Sequence, residues 1–190
     1  MVGELKILGF SNYLHPLDDE NFILAIGQDA DENGRTIGLQ ISLYDVSDFA
    51  DPQQVQKYVE MDGYSSAEYD HKAFRYLPES ELLILPVYSS SEGEYFDGFV
   101  VYDVKTTNEF SKQFEISHVT KQSLDSCWDM AYLGERSMVF DGKVTTMKGH
   151  TVLSHDLNTQ EREWKLNLDK DLKKSDSDDC GYWRPMFFGF

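Results

Sequence analysis

The chain reads as all-β and built by repetition, on three observations. One pattern comes round three times: LQISLYDVSDFADPQQVQKYVEM from Leu39, GFVVYDVKTTNEFSKQFEI from Gly98 and HTVLSHDLNTQEREWKLNL from His150. In each copy an apolar-alternating run ends in an aromatic or His followed by Asp (Tyr44-Asp45, Tyr102-Asp103, His155-Asp156), and a polar turn leads into a second alternating run. Secondly, nearly every apolar segment alternates with a period of two, as half-buried strands do, while helical periodicity is almost absent. Thirdly, 12 Phe and 11 Tyr in 190 residues suit pleated surfaces.

The repeated Asp residues lie 58 and 53 residues apart. Periods of that size mark a solenoid, a propeller or another array. In the first copy the alternation predicts strands at 21–26, 38–44 and 54–59. The second copy gives 72–76, 82–87, 98–103 and 110–116, and the third 136–140, 144–147, 151–155 and 163–166. Turn chemistry separates them at Asn33-Gly34, Leu77-Pro78-Glu79-Ser80, Glu92-Gly93 and Asp141-Gly142. Four short strands per period, meandering through tight turns, make the blade of a β-propeller.

The expected organisation is therefore a partial propeller over residues 1–168. Its repeats fall at about 10–60, 69–116 and 134–168, with an irregular insertion at 117–133. A tail at 169–190 is acidic and then aromatic, ending in the apolar stretch YWRPMFF at 182–188. Three blades do not close a ring, since propellers use roughly four to eight. Further blades, association of copies or a compact sandwich would each answer this. The expectation is the first, with the chain as the C-terminal portion of a larger propeller.

Composition narrows the function classes. With 34 acidic against 17 basic side chains the net charge is −17, a surface that repels phosphate backbones, so nucleic-acid binding is not expected. The plain reading of that charge is solubility; the sharper one is cation binding. No apolar run reaches the 18 residues of a membrane-spanning helix. The opening MVGELKILGF lacks the basic and long apolar regions of a signal peptide, so the expectation is either a cytoplasmic protein or an export signal outside this chain. Cys127 and Cys180 lie far apart without a CxxC; whether they pair, and in which compartment, stays open.

Two constellations invite a chemical reading. His15, His71 and His118 precede Asp45, Asp103 and Asp156 by 30, 32 and 38 residues. A His-Asp set around a channel would suit acid-base work or metal binding. A group repeated once per blade fits better as a structural staple, because catalysis needs it only once. The second constellation is Asp29-x-Asp31-x-Asn33-Gly34, with the Arg35 carbonyl following, which resembles the start of a calcium loop. Gln40 stands where the bidentate Glu would be, and strands flank the loop. A polar hairpin turning on Asn33-Gly34 is the competing reading. Calcium is thus the single cofactor to be considered, held by Asp29, Asp31, Asn33 and Arg35.

Other candidates carry less. Residues 89–93 (SSSEG) form no nucleophile elbow. Cys127 beside Trp128 and Asp129 has no recognisable nucleophile context. Asp125, Asp129 and Glu135 offer a carboxylate pair of the kind glycosidases use, as any acidic protein does. No residue is assigned a catalytic role.

The segments FSNYLHP, IGQDADENG, GLQISLYDVSDFADPQQVQKYV, YDHKAF, LLILPV and RSMVFDG together resemble one family: secreted proteins, mostly bacterial and archaeal, with a C-terminal β-propeller domain. The resemblance runs over residues 3–168, densest in the first two copies. It implies a secreted or cell-surface propeller without assigned catalytic activity, and supplies no catalytic residues. Family members are much longer, and the aromatic tail has no counterpart in them. The expected function is a non-catalytic binding or scaffold module presenting loops to a protein or glycan partner. The alternatives are an extracellular polymer-degrading hydrolase using channel-lining carboxylates, and a purely structural cap.

Overall fold

Alternating sequence becomes strand almost throughout. The structure, a computed structural model, describes residues 3–91, 94–119 and 134–168. Its strands are β1 (Phe10–Pro16), β2 (Phe22–Ala30), β3 (Thr36–Asp45), β4 (Gln53–Met61), β5 (Gly63–Tyr64), β6 (Arg75–Leu77), β7 (Leu82–Ser89), β8 (Phe96–Asp103), β9 (Ser111–Ser117), β10 (Arg136–Phe140), β11 (Lys143–Lys148), β12 (Thr151–Asp156) and β13 (Arg162–Asn167). They form three antiparallel meanders: β1-β2-β3-β4, a middle sheet with β7-β8-β9, and β10-β11-β12-β13. In the middle sheet β5 and β6 both pair with β7, sharing the place of a first strand. This is the all-β, bladed, unclosed architecture that the repeats predict.

The repeat has a structural meaning. Each Asp ends the third strand of its sheet, and each accepts the amide two residues on: Asp45 from Ser47 at 2.9 Å, Asp103 from Lys105 at 3.2 Å, Asp156 from Asn158 at 2.8 Å. These are Asx turns, in which the side chain replaces a backbone turn acceptor. The Ser47 hydroxyl and amide hold Asp45 below the usual carboxylate range, and the Thr159 and Asn158 amides do so for Asp156.

Counting back from the Asp gives the packing code. The fourth and second residues before it face the next sheet, and the third and first face the previous one. Thus Ile41 and Leu43 meet Leu83, Leu85, Val100 and Tyr102 in the core between the first and middle sheets. Phe99 and Val101 point the other way, into a smaller core with Val144 and Leu153. Burying one such side chain contributes about 1.5–3 kcal/mol. Val152, which holds in the third copy the position of Ile41 and Phe99, is only half-buried. By the code it points forward from the third sheet, onto a face that also exposes Met138, Trp164 and Leu166 and has no facing sheet among the described residues.

Three local expectations need correction. β1 was not anticipated, because FSNYLHP carries few alternating apolar groups. It pairs with β2 through its backbone, and Tyr13 and His15 pack on Phe74 with ring centroids 4.8 and 4.9 Å apart. The strand expected at 72–76 forms only over Arg75–Leu77, because Lys72 and Ala73 lie in a turn closed by Asp70. Of the insertion expected at 117–133, Ser117 instead ends β9 and His118 is buried, while 120–133 lie outside the described residues.

A candidate binding cleft between the sheets

The divided first strand of the middle sheet creates the site. Between β5 and β6 the chain leaves the ladder and makes one short 3-10 turn, Ser66–Glu68. Ser65 caps it: its hydroxyl accepts the Ala67 amide at 3.2 Å, and the Glu68 carboxylate reaches back to the Ser65 amide at 3.1 Å. This reciprocal capping box fixes the carboxylate of Glu68. Asn12 on β1 donates to Glu68 Oε1 at 3.2 Å and Gln28 on β2 to Oε2 at 2.8 Å, so the loop is tied to the first sheet.

Opposite it stands a lysine. Lys148, at the end of β11, places its ammonium against both Asp97 of β8 and Glu135, just before β10. The Ser66 hydroxyl donates to the other oxygen of Glu135. Burial pushes the Asp97 carboxyl up, against the pull of Lys148. Burial acts to lower the Lys148 ammonium, but Glu135 and Asp97 outweigh it and hold its pKa above the ordinary value. Between these groups lies a cleft of about 550 Å³ reached from all three sheets, with Phe10, Tyr64, Tyr69 and Tyr88 among its walls.

Each cleft carboxylate is occupied: Glu68 by two amides and a backbone N–H, Asp97 and Glu135 by Lys148. A carboxylate held by an ammonium is a poor base, so the Ser66 hydroxyl on Glu135 is not an activated nucleophile. Among the described residues no three His, Cys, Asp or Glu side chains converge as metal ligands.

The anticipated residues are placed as follows. Asp45, Asp103 and Asp156 are equivalent; the histidines are not. His15 sits next to the end of β1 among aromatic rings, and burial lowers its pKa, partly countered by Asp18. His71 is exposed in the loop before β6. His118 is buried after β9, with Nε2 2.9 Å from Thr146 Oγ1, and burial brings its pKa down to about 3. No hydrogen bond joins these histidines to those aspartates among the described residues, so the shared His-Asp staple gives way to Asx turns.

In the calcium-like loop, Asp29 is buried on β2 and paired with Lys57 at 2.7 Å. Asp31 Oδ1 accepts the amides of Asn33 and Arg35 at 2.8 and 2.9 Å, and Gly34, with φ 80°, completes the hairpin. Glu135 does reach the cleft. Asp125, Asp129, Cys127 and Cys180 lie outside the described residues.

Gln28, Ser65, Glu68, Asp97 and Lys148 were not anticipated. The Ser65-x-x-Glu68 spacing is a readable capping-box signal. Asp97 and Lys148 become partners only through the approach of β8 and β11.

Repetition, three meandering sheets and a cleft at their junction define a propeller-type repeat protein. The chain belongs to the beta propeller domain family, whose model it matches over residues 1–160. It is 38% identical over 89 residues to an uncharacterized protein of Methanocaldococcus jannaschii, covering 47% of this chain and 13% of that one. An uncharacterized protein of Archaeoglobus fulgidus is 37% identical over 86 residues, 45% of this chain and 13% of the relative. The match thus spans only 13% of the length of each of these relatives.

Proposed function

We propose that this propeller unit is a non-catalytic binding module of a secreted or cell-surface protein, presenting its inter-sheet cleft to a protein or glycan partner. The observation that carries this is the cleft itself: aromatic walls, convergent polar groups, and carboxylates already spent on internal partners. Apolar walls with a few fixed polar groups are the usual make-up of a recognition pocket. Secretion rests on the family resemblance alone.

The hydrolase reading draws on one observation, the raised Asp97 carboxyl in a cleft with other carboxylates. Glycosidases need such an acid with a second, free carboxylate about 5–9.5 Å away. The engagement of Glu68 and Glu135 argues against it. Peptide and glycan arrays probed with the parent and with Tyr69→Ala, alongside reducing-end assays on polysaccharides, test both. Binding weakened in Tyr69→Ala without hydrolysis is the expected result; turnover abolished by Asp97→Asn would establish the hydrolase.

A further inference from the structure

Gln28 is only 5% exposed, yet it lines the cleft and leaves one atom without a partner. Its amide nitrogen is committed, because a carboxylate only accepts and Glu68 Oε2 lies 2.8 Å away. Its Oε1 is therefore turned from that contact and takes no hydrogen bond. A buried acceptor left unmatched is costly until a donor arrives. The orphan group thus asks for a ligand that donates.

The surroundings specify the charge of that donor. The cleft lining carries the carboxylates of Glu68, Asp97 and Glu135 against the single ammonium of Lys148. The whole chain adds a field of net charge −17, which concentrates cations and repels anions at a cleft mouth. Tyr69, 85% exposed, and Tyr64 supply aromatic rings to the same lining. Aromatic faces beside carboxylates are favourable to organic cations, and a planar guanidinium stacks on them while its fork of N–H donors meets acceptors. Lys148 is already an alkylammonium seated in this lining.

We infer that the cleft receives a basic side chain of a protein partner, arginine in preference to lysine. Its guanidinium donates to Gln28 Oε1 and lies against Tyr69, its charge answered by the net negative lining of the cleft. This rests on the binding-module reading above and names the ligand class for that cleft. A neutral saccharide would also satisfy Gln28 and stack on the rings, but it would gain nothing from the charge.

The test uses the full chain and three blocked probes: a Gly-Arg-Gly tripeptide, the same peptide with citrulline for arginine, and a neutral β-glucan hexasaccharide, each titrated by calorimetry or NMR. Citrulline keeps the shape and loses the charge. The arginine peptide should bind about tenfold or more tighter than the citrulline peptide, as charge-assisted hydrogen bonds require. Raising salt from 50 to 300 mM should weaken it severalfold. Tyr69→Ala, at an exposed position, should weaken it roughly two- to fivefold. Gln28→Met, which keeps the shape and removes the acceptor, should weaken it about tenfold with the fold intact by circular dichroism. Equal binding of arginine and citrulline peptides overturns the inference. Saccharide binding in the cleft without arginine binding also overturns it, and leaves the binding-module reading standing. If no probe perturbs Tyr69 or Gln28 resonances, the inference fails; array ligands that still need Tyr69 would keep the module reading, and their absence would remove it too.

Discussion

The two seams between neighbouring sheets are built differently. Between the first and middle sheets the contact is a deep aliphatic core around Leu24, Ile26, Ile41, Leu43, Leu85 and Val100. Its polar groups sit at the margin: Glu60 takes Lys112 at 3.0 Å and the hydroxyls of Tyr58 and Tyr102 at 3.3 Å, and Gln56 donates to the Lys105 carbonyl at 3.0 Å. Between the middle and third sheets the core is smaller, with Ile84, Phe99, Val144 and Leu153. Much of that seam is polar: His118 on Thr146, Lys148 on Asp97, Arg136 on Asp70 at 2.8 Å and Arg75 on the Ser137 carbonyl at 3.3 Å. One seam is held by area removed from water, the other by the matching of buried polar groups. Loss of one partner is therefore costlier at the second seam, and its strength depends on pH.

Removing a shared cation should separate the seams most clearly. Lys148→Met leaves Asp97 and Glu135 facing each other unpaired, and breaking a buried pair costs about 3–5 kcal/mol. Lys112→Met leaves Glu60 its two tyrosine hydroxyls and removes a lysine more exposed than Lys148, so about 1 kcal/mol is expected. Urea midpoints measure both, and hydrogen exchange should show the Lys148 variant opening in the third sheet while β2 and β3 stay protected. Equal losses would erase the distinction.

A pair of cavity variants comes next. Leu43→Ala and Leu153→Ala each remove a buried leucine, for about 2–5 kcal/mol. Leu43→Ala should lie high in that range and lower the whole transition. Leu153→Ala should lie low and loosen mainly β10–β13, again by hydrogen exchange.

Acid should act on the second seam through His118. Its folded pKa of about 3 lies below the ordinary 6.5, so the unfolded chain binds the proton more readily. The resulting stabilisation is fully present above about pH 6.5 and drains away as pH falls towards 3, at roughly 1.4 kcal/mol per unit. Burial of His15 and His155 works in the same direction. Asp97 works in the opposite one: its raised pKa means the folded state takes the proton first as pH drops. A net loss of about 2 kcal/mol between pH 6.5 and 4.5 is expected. His118→Gln should flatten that slope; an unchanged slope would show that another group carries it.

Two small effects close the series. His71→Ala should change stability by less than about 0.5 kcal/mol, since the ring is exposed and no staple. Millimolar calcium against chelator should leave the melting midpoint unmoved in the parent and in Asp29→Asn with Asp31→Asn. Asp29 already holds Lys57, and Asp31 already holds turn amides. A calcium shift lost in the double variant would instead establish the loop as an ion site.

Legibility in the sequence followed the range of the forces. The third strand of each sheet was readable because alternation and a terminal Asp are local signals, and Asp141-Gly142 was readable because both residues need positive φ, observed as 49° and 70°. β1 was hidden because backbone pairing, rather than its own apolar groups, keeps it in the sheet. The first strand of the middle sheet was misplaced because Asp70 and the Ser65 cap divert the chain before pairing resumes at Arg75. The cleft was nearly invisible: Lys148, Asp97 and Gln28 come from separate sheets, and only their mutual desolvation marks them. The histidines mislead because similar spacing in sequence does not bring equivalence in space.

The divided first strand has an engineering consequence. Residues 65–74 leave the ladder and return to it while β7 and β8 keep an unbroken register from Leu82 opposite Asp103 to Ser89 opposite Phe96, and β8 pairs with β9 with one shift between Val101 and Tyr102. The excursion is anchored by three buried groups, Ala67, Ala73 and Phe74. Its outward positions, Ser66, Glu68 and Tyr69, line the cleft. Such a segment is a cassette: with the anchors, the Ser65–Glu68 cap and Ser66 kept, the exposed Tyr69 can be varied to retarget the cleft, and the scaffold's melting point should scarcely register the exchange.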